Sequence, residues 1–400
     1  MGLCTVRRGD EGPCPRVLNR VNFSRGVSLE LEKSIQDLAR CFARERILPQ
    51  AKHLDQEARF PWPLFREAAG LGFPVLVVPE ELGGAGLGPR SLVLVAEELA
   101  YACTGVAAAL LLNNLVADAL LLSGSPHARG FLPRLREEVA SYALTEPHAG
   151  SDVAAIRTWA ERVAGGYRLY GRKTWISHAP EASFFVVFAK VAEGREGIAA
   201  FLVERGKGVE VGPPLPKLGQ KASPAAEVYL DGVFVPEKGL IAREGFALAM
   251  RVFNRSRPMV AALAVGLLRR ALEEALAYAA LREAFGKPLL QHEGVGFKLA
   301  EIHMDLEAAR LLTLKAADLA ERGEENALEA ATAKAFAADA AVRGVSEALQ
   351  VFGGNGYSEE YPLAKLYRDA KVLQIYEGTS EIQRLIVLRE LARRRIWESR

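Results

Sequence analysis

Close to its C-terminus the chain reads Gln374-Ile375-Tyr376-Glu377-Gly378-Thr379-Ser380-Glu381-Ile382-Gln383, its sharpest local chemical feature. Ser380 and Gln383 have the spacing of a reciprocal helix cap, so a helix is expected to begin just after Glu377. Glu377 then lies on a short connection, between Tyr376 and a glycine that lets the backbone come close to a ligand. A carboxylate among apolar neighbours loses water, which penalises its charged form, raises its pKa and suits it to act as a general base. The alternative is a solvated loop glutamate, and the local residues leave both readings open. In Tyr142-Ala143-Leu144-Thr145-Glu146-Pro147-His148-Ala149-Gly150-Ser151-Asp152, small and hydroxyl residues follow a strand. Backbone N–H groups and Thr145 or Ser151 can contact a polar ligand edge there, though the same pattern also makes a plain turn. Trp175-Ile176-Ser177 ends another expected strand, where an aromatic is either core or the neighbour of a planar ring. Arg282-Glu283-Ala284-Phe285-Gly286-Lys287-Pro288 breaks two long helices and carries cations able to hold a phosphate or to be simply solvated. The glycines of Gln350-Val351-Phe352-Gly353-Gly354-Asn355-Gly356-Tyr357 end a helix and would also admit a ligand close to the backbone.

Regular structure has to position these segments. Over about residues 29–138, Ala and Leu recur at helical spacing, with stops at Phe60-Pro61-Trp62-Pro63 and at Glu81-Leu82-Gly83-Gly84-Ala85-Gly86. The second stop lacks the G-x-G-x-x-G spacing of a dinucleotide fingerprint and reads as a turn between helices. Over about residues 139–236 the texture becomes β-branched and aromatic. Phe184-Phe185-Val186-Val187-Phe188 has the make-up of a buried strand, and residues 167–170, 198–203 and 228–235 are similar, with turn residues between them as in an antiparallel sandwich or barrel. From about residue 245 the helical period returns. Leu263, Leu267, Ala271, Ala275 and Ala279 mark the face of one long helix, and Val295, Leu299, Ile302, Leu306 and Ala309 that of a second. Val342, Val345, Leu349 and Phe352 mark a third, stopped by Gly353-Gly354. The expected fold class is α+β and multidomain: an extension at 1–22, a helical domain at 23–138, an antiparallel β-domain at 139–238 and a helical bundle at 239–400.

Four hundred residues exceed one small core and suggest two or three domains. A net charge of +2 gives no field that would favour nucleic acid or a membrane surface. The apolar run 106–122 contains Asn113, Asn114 and Asp118, which a membrane span would have to bury, so a core helix is expected. Cys4, Cys14, Cys41 and Cys103 are scattered and show neither zinc spacing nor a secreted disulfide framework, and the six histidines form no ligand pair. No metal is expected. The N-terminal twenty-odd residues lack an apolar signal core, and Asp10 and Glu11 speak against a transit peptide, so a cytoplasmic protein is the plainest account.

Taken in order, Thr145-Glu146-Pro147 with Ala149-Gly150-Ser151-Asp152, Trp175-Ile176-Ser177, Arg282 with Phe285-Gly286, Gln350 with Gly353-Gly354-Asn355-Gly356, and Tyr376-Glu377-Gly378-Thr379-Ser380 resemble the acyl-CoA dehydrogenase family. The resemblance runs from about Phe23 onward and lies nearest the medium-chain branch. It implies an N-terminal helical domain, a β-domain and a C-terminal four-helix bundle, assembled as a homotetramer. It implies a fatty-acid β-oxidation role, acyl-CoA as substrate and electron-transferring flavoprotein as acceptor. By this resemblance Glu377 removes the pro-R α-proton and the β-hydride passes to N5 of FAD. Tyr142, Leu144, Thr145, Gly150, Ser151, Trp175, Ile176 and Ser177 would line the flavin, with Thr379 and Glu381 touching it after the base. Arg282, Phe285, His292, Gln350, Gly353 and Gly354 would hold the pyrophosphate and adenosine half of a neighbouring subunit's FAD. Ser151, Phe253, Asn254, Arg257, Tyr376 and Gly378 would meet the acyl-CoA.

The chain also departs from the family pattern. His148 stands where Gly is usual, Asn254 replaces a common acid, and Ala284 and Glu293 replace common Thr and Gln. Glu324 and Glu325 fall where medium-chain relatives can place cations. Some relatives carry the base on the helix around 254–257, a segment that holds no acid here. Ala107, Ala108 and Leu111 occupy the stretch that reaches the acyl tail in similar enzymes, so a roomy apolar end is expected. An acyl-CoA oxidase of the same fold is the nearest alternative, and relatives that bind DNA or serve as assembly factors form a different class. Lys and Arg are interspersed with Asp and Glu throughout, without the concentrated basic surface of a DNA binder.

Overall fold

The computed structural model describes residues 29–398. The extension expected at 1–22 lies outside them. Helices open the chain: α1 (Leu29–Phe42), α2 (Ala51–Glu57), α3 (Trp62–Gly70), α4 (Pro89–Ala102), α5 (Thr104–Leu122) and the short α6 (Pro126–Arg129). The apolar helix α5 is long and apolar enough to cross a membrane, but most of its surface is buried inside the protein. Its asparagines and its aspartate are satisfied internally. Asn114 accepts from the Val77 N–H at 3.2 Å and donates to the Phe73 carbonyl at 2.9 Å, while Asp118 accepts from Arg255 at 2.7 Å. Asn113 donates to the Leu135 and Glu138 carbonyls and accepts from the Ala140 N–H at 3.1 Å, fastening the helical layer to the first strand.

An eight-stranded sheet follows: β1 (Ala140–Ala143), β2 (Trp159–Val163), β3 (Gly166–Ser177), β4 (Phe184–Lys190), β5 (Ile198–Glu204), β6 (Val209–Val211), β7 (Ala225–Pro236) and β8 (Leu240–Ala242). The order is β6-β7-β3-β2-β4-β5-β8, with β1 paired to β4. Most pairs are antiparallel, as expected of this domain; β1 and the first residue of β2 pair with β4 in parallel. The sheet also continues to Ala242, beyond the expected boundary at 238, because β8 turns back onto β5. Side chains alternate across a sheet. Phe184, Val186 and Phe188 of β4 therefore join the helical core, while Phe185, Val187 and Ala189 face a second core enclosed by β3 and β7. Burial on both faces is why this strand reads as an unbroken apolar run.

The long helices of the C-terminal part are α7 (Gly245–Leu281), α8 (Glu293–Glu321), α9 (Ala327–Phe352) and α11 (Ser380–Glu398). A tight hairpin, β9 (Glu283–Ala284) and β10 (Lys287–Pro288), joins α7 to α8, and α10 (Pro362–Lys371) lies between α9 and α11. Leu263, Leu267, Ala271, Ala275 and Ala279 of α7 are all buried, as their spacing requires. Cys103 is a buried free thiol.

Candidate active site

Glu377 occupies the connection between α10 and α11 with φ +52°, and Gly378 follows at +88°. Two left-handed residues in a row turn the chain sharply, and a residue with a Cβ pays on the order of 1 kcal/mol for that conformation. The turn puts the carboxylate against α7, where the Ser256 hydroxyl donates to Oε2 at 2.6 Å. Burial pushes the Glu377 pKa up, opposed by the Ser256 hydrogen bond and by the charges of Arg257 and Lys334. A raised yet cation-steadied carboxylate is what a neutral-pH general base requires.

The helix after this turn begins where expected, but its cap is shifted. Thr379, one residue before Ser380, accepts from the Ile382 N–H through its hydroxyl at 3.3 Å. Ser380 instead donates to Asp339 of α9 at 2.8 Å, and the Gln383 amide donates to the Glu377 and Gly378 carbonyls at 3.0 and 2.9 Å. Hydroxyls at both 379 and 380 fit the sequence pattern; the cross-helix acceptor Asp339, invisible locally, decides between them. Glu381 is exposed and lines a groove with Asp339, Arg343 and Arg384.

The facing wall of α7 is shaped by Pro258. Proline inside a helix removes the N–H that would bond the carbonyl four residues back, here that of Asn254. The Asn326 amide takes that carbonyl at 2.9 Å. Asn254 in turn accepts from Arg257 at 2.8 Å, and Arg257 is 3% exposed, with burial lowering its pKa to about 10. Phe253 packs edge-on to Tyr142 of β1 at 5.7 Å. The Tyr142 hydroxyl is buried without a partner, and burial together with the nearby Glu377 charge raises its pKa. Tyr376 reaches back to the Gln220 amide at 3.4 Å.

The loop after β1 is rigid for a reason its sequence does not announce. Glu146 is buried and accepts from the Arg157 N–H at 2.6 Å, from the Thr158 N–H at 3.0 Å and from the ammonium of Lys173 at 2.7 Å. Lys173 also donates to the Leu144 carbonyl at 3.0 Å, and the Thr174 N–H reaches the Thr145 carbonyl at the same distance. His148 lies 3.4 Å from the Glu146 carboxylate. Gly150 and Ser151 are left exposed, and Ser177 is half-buried at the end of β3. Leu144 and Ile176 point into the core and can meet a ligand through their backbone alone. Trp175 is 56% exposed at φ +57°, so the core alternative for this residue falls. A held-open indole beside free loop amides and hydroxyls suits one planar, polar-edged ring, and FAD fits that donor set.

A second group lies elsewhere. Phe285 is 97% exposed at the tip of the β9–β10 hairpin, and His292 braces that hairpin through the Ala284 carbonyl at 3.0 Å. Tyr278 stacks on Phe352 at 4.1 Å, which brings Gln350, Gly353 and Gly354 at the end of α9 beside Arg282 at the end of α7. At about 1.5 Å per residue, α7 carries Arg282 roughly 39 Å along its axis from Ser256, and α9 carries Gln350 roughly 24 Å from Lys334 beside the base. The two groups are therefore well separated along the bundle.

The models of the acyl-CoA dehydrogenase N-terminal, middle and C-terminal domains match residues 30–138, 141–233 and 243–392. An acyl-CoA dehydrogenase of Bacillus subtilis (strain 168) is 40% identical over 366 residues, covering 89% of this chain and 97% of the relative. A cyclohexane-1-carbonyl-CoA dehydrogenase of Geobacter metallireducens is 39% identical over 365 residues, covering 89% and 96%. Among solved structures, butyryl-CoA dehydrogenase from Megasphaera elsdenii superposes with a TM-score of 0.88 at 36% identity over 90% of this chain and 98% of that one. The FAD complex of PigA gives 0.87 at 29% identity over 95% and 100%. The chain belongs to the acyl-CoA dehydrogenase family. It is a flavin oxidoreductase with FAD as its cofactor.

Proposed function

We propose that this enzyme removes the α-proton and β-hydrogen of an acyl-CoA thioester to give the trans-2-enoyl-CoA, with Glu377 as the base. The observation that carries the reading is the Glu377 carboxylate itself. It is desolvated, held by Ser256 on an apolar-walled face, and flanked by the cations of Arg257 and Lys334. FAD supplies the acceptor for the electrons and hydrogen that leave the β-carbon. The chain's own residues do the rest. Glu377 takes the α-proton on a carboxylate oxygen, and its N–H, which meets no backbone carbonyl, is available to the thioester oxygen as negative charge develops there. Phe253 and Tyr142 exclude water from that face, Tyr376 and Gly378 bracket the base, and the Asn254–Arg257 pair lies along the route a CoA thioester would take. Thr145, Ser151, Trp175 and Ser177 would receive the flavin ring.

The separation of Arg282, Phe285, Gln350 and Gly353 from Glu377 supports an assembly in which they serve the FAD of a neighbouring copy. A homotetramer is the arrangement we favour, with electron-transferring flavoprotein as acceptor and a β-oxidation step as the role. Ala107 and Leu111 are buried on α5 and Ala108 is partly so. As the residues proposed to meet the acyl tail, they would offer it an apolar end, with roughly 0.8 kcal/mol available per added methylene. Thioesters of about eight to twelve carbons should therefore show higher kcat/KM than butyryl-CoA, by roughly tenfold for each 1.4 kcal/mol of added transition-state binding. A steady-state panel of acyl-CoAs with its maximum at butyryl-CoA would reject this account of the pocket.

A further inference from the structure

Lys334 has so far entered only as a nearby charge, and neither its burial nor its hydrogen bond is explained by that. It is 0% exposed, on a stretch of α9 whose other buried positions include Ala330, Ala331, Ala333, Ala337 and Ala338. An ammonium taken fully out of water is expensive unless something holds it, and an apolar side chain would fill the same space at less cost. What holds it is the carbonyl of Gly378, to which Nζ donates at 2.7 Å. Gln383, also 0% exposed, donates from one amide nitrogen to the carbonyls of both Glu377 and Gly378. The two consecutive left-handed residues that aim the carboxylate thus have both carbonyls tied, one to α11 alone and the other to α9 and α11 together. The fit is tight: a Cβ on Gly378 would lie 2.6 Å from the Gln383 amide nitrogen.

We infer that Lys334 and Gln383 are positioning residues for the base, fixing the Glu377–Gly378 turn from two helices while Lys334 presents its charge to the carboxylate. The inference rests on Glu377 being the base. The charged and titratable groups that face Glu377 are Arg257 from α7, Lys334 from α9, Tyr142 from β1 and the adjacent Tyr376; Lys334 also feels Asp339 and Glu381. Burial lowers the Lys334 pKa to about 8, with Glu377 pulling it back up and Arg257 pushing it further down. The cation is therefore in place below about that pH and fades above it. While present, it favours the ionised carboxylate and draws the acid limb of the rate profile downward.

The test is single-turnover flavin reduction by one acyl-CoA, followed against pH in FAD-loaded enzyme. In Lys334→Met the acid limb should move to higher pH, by an amount that leaves the rate about tenfold lower on that limb for each unit moved. The profiles of parent and variant should draw together above the pH at which Lys334 loses its proton. Lys334→Arg should restore the parental limb, and Gln383→Leu should lower the rate at every pH without moving it. A Lys334→Met limb coincident with the parent's overturns the inference. So does loss of bound FAD in both Lys334 variants, the behaviour of a merely structural lysine. Glu377→Gln run alongside separates the two readings: if it keeps the parental rate, the base assignment fails and not only the clamp.

Discussion

Glu377→Gln should abolish dehydrogenation while FAD and acyl-CoA remain bound. Gln is nearly isosteric, and the turn is fixed through backbone carbonyls by Lys334 and Gln383, so it does not depend on the carboxylate. The amide cannot accept the α-proton at neutral pH, and general-base catalysis is typically worth ~10² to 10⁴ in rate. No substitute acid is at hand: the α7 wall offers Ser256 and Arg257, and Glu381 is exposed and lines a groove with Arg384. The loss should therefore reach the upper end of that range. In the parent, activity should rise with pH as Glu377 ionises, along a limb above the ordinary carboxylate range because burial raises this pKa. A variant that still reduces its flavin at more than about a tenth of the parental rate would fall short of even the usual contribution of a base. Another group would then be taking the proton.

The second large effect is expected far from the base. Arg282→Ala should weaken FAD retention by about tenfold to a hundredfold, the size of one charge-assisted contact to a phosphate at about 1.5 to 3 kcal/mol. The fold should persist, because the Arg282 side chain is exposed and the end of α7 is held by the Tyr278–Phe352 stack. Since α7 carries this residue far along its axis from the Ser256 that holds its own Glu377, the loss should be one of shared sites. Mixed oligomers of parent and variant chains should then bind an intermediate amount of FAD. Sedimentation that found a flavin-loaded monomer would contradict the composite site.

The elements most legible in the sequence were those whose burial repeats in a simple period. Strand β4 is apolar throughout because both its faces are covered, and the buried stripe of α7 recurs at helical spacing. Strand β2 is hidden because it alternates buried Ala160 with exposed Trp159 and Glu161, and β6 and β8 are only three residues long each. At the site, Glu377 stood out because glycine and a helix start flank it. Its supports did not. Lys334 and Lys173 are fully buried lysines, and in sequence a lysine reads as surface. Glu146 belongs to a motif that suggests ligand contact, yet its oxygens are occupied by the loop's own donors and by Lys173. Ser256 and Glu377 are far apart along the chain and meet only because the helices pack. The distance between Ser256 and Arg282 emerges only once that helix continues unbroken through Pro258.

The most direct test of the central claim is an anaerobic titration of the purified protein with acyl-CoA thioesters of graded chain length, following the flavin spectrum and the thioester product together. The account predicts a yellow, FAD-containing protein whose oxidised flavin bleaches on addition of acyl-CoA, with one enoyl-CoA formed for each flavin reduced. A flavin that stays oxidised with every saturated thioester in the panel, in protein shown to hold FAD, would contradict it.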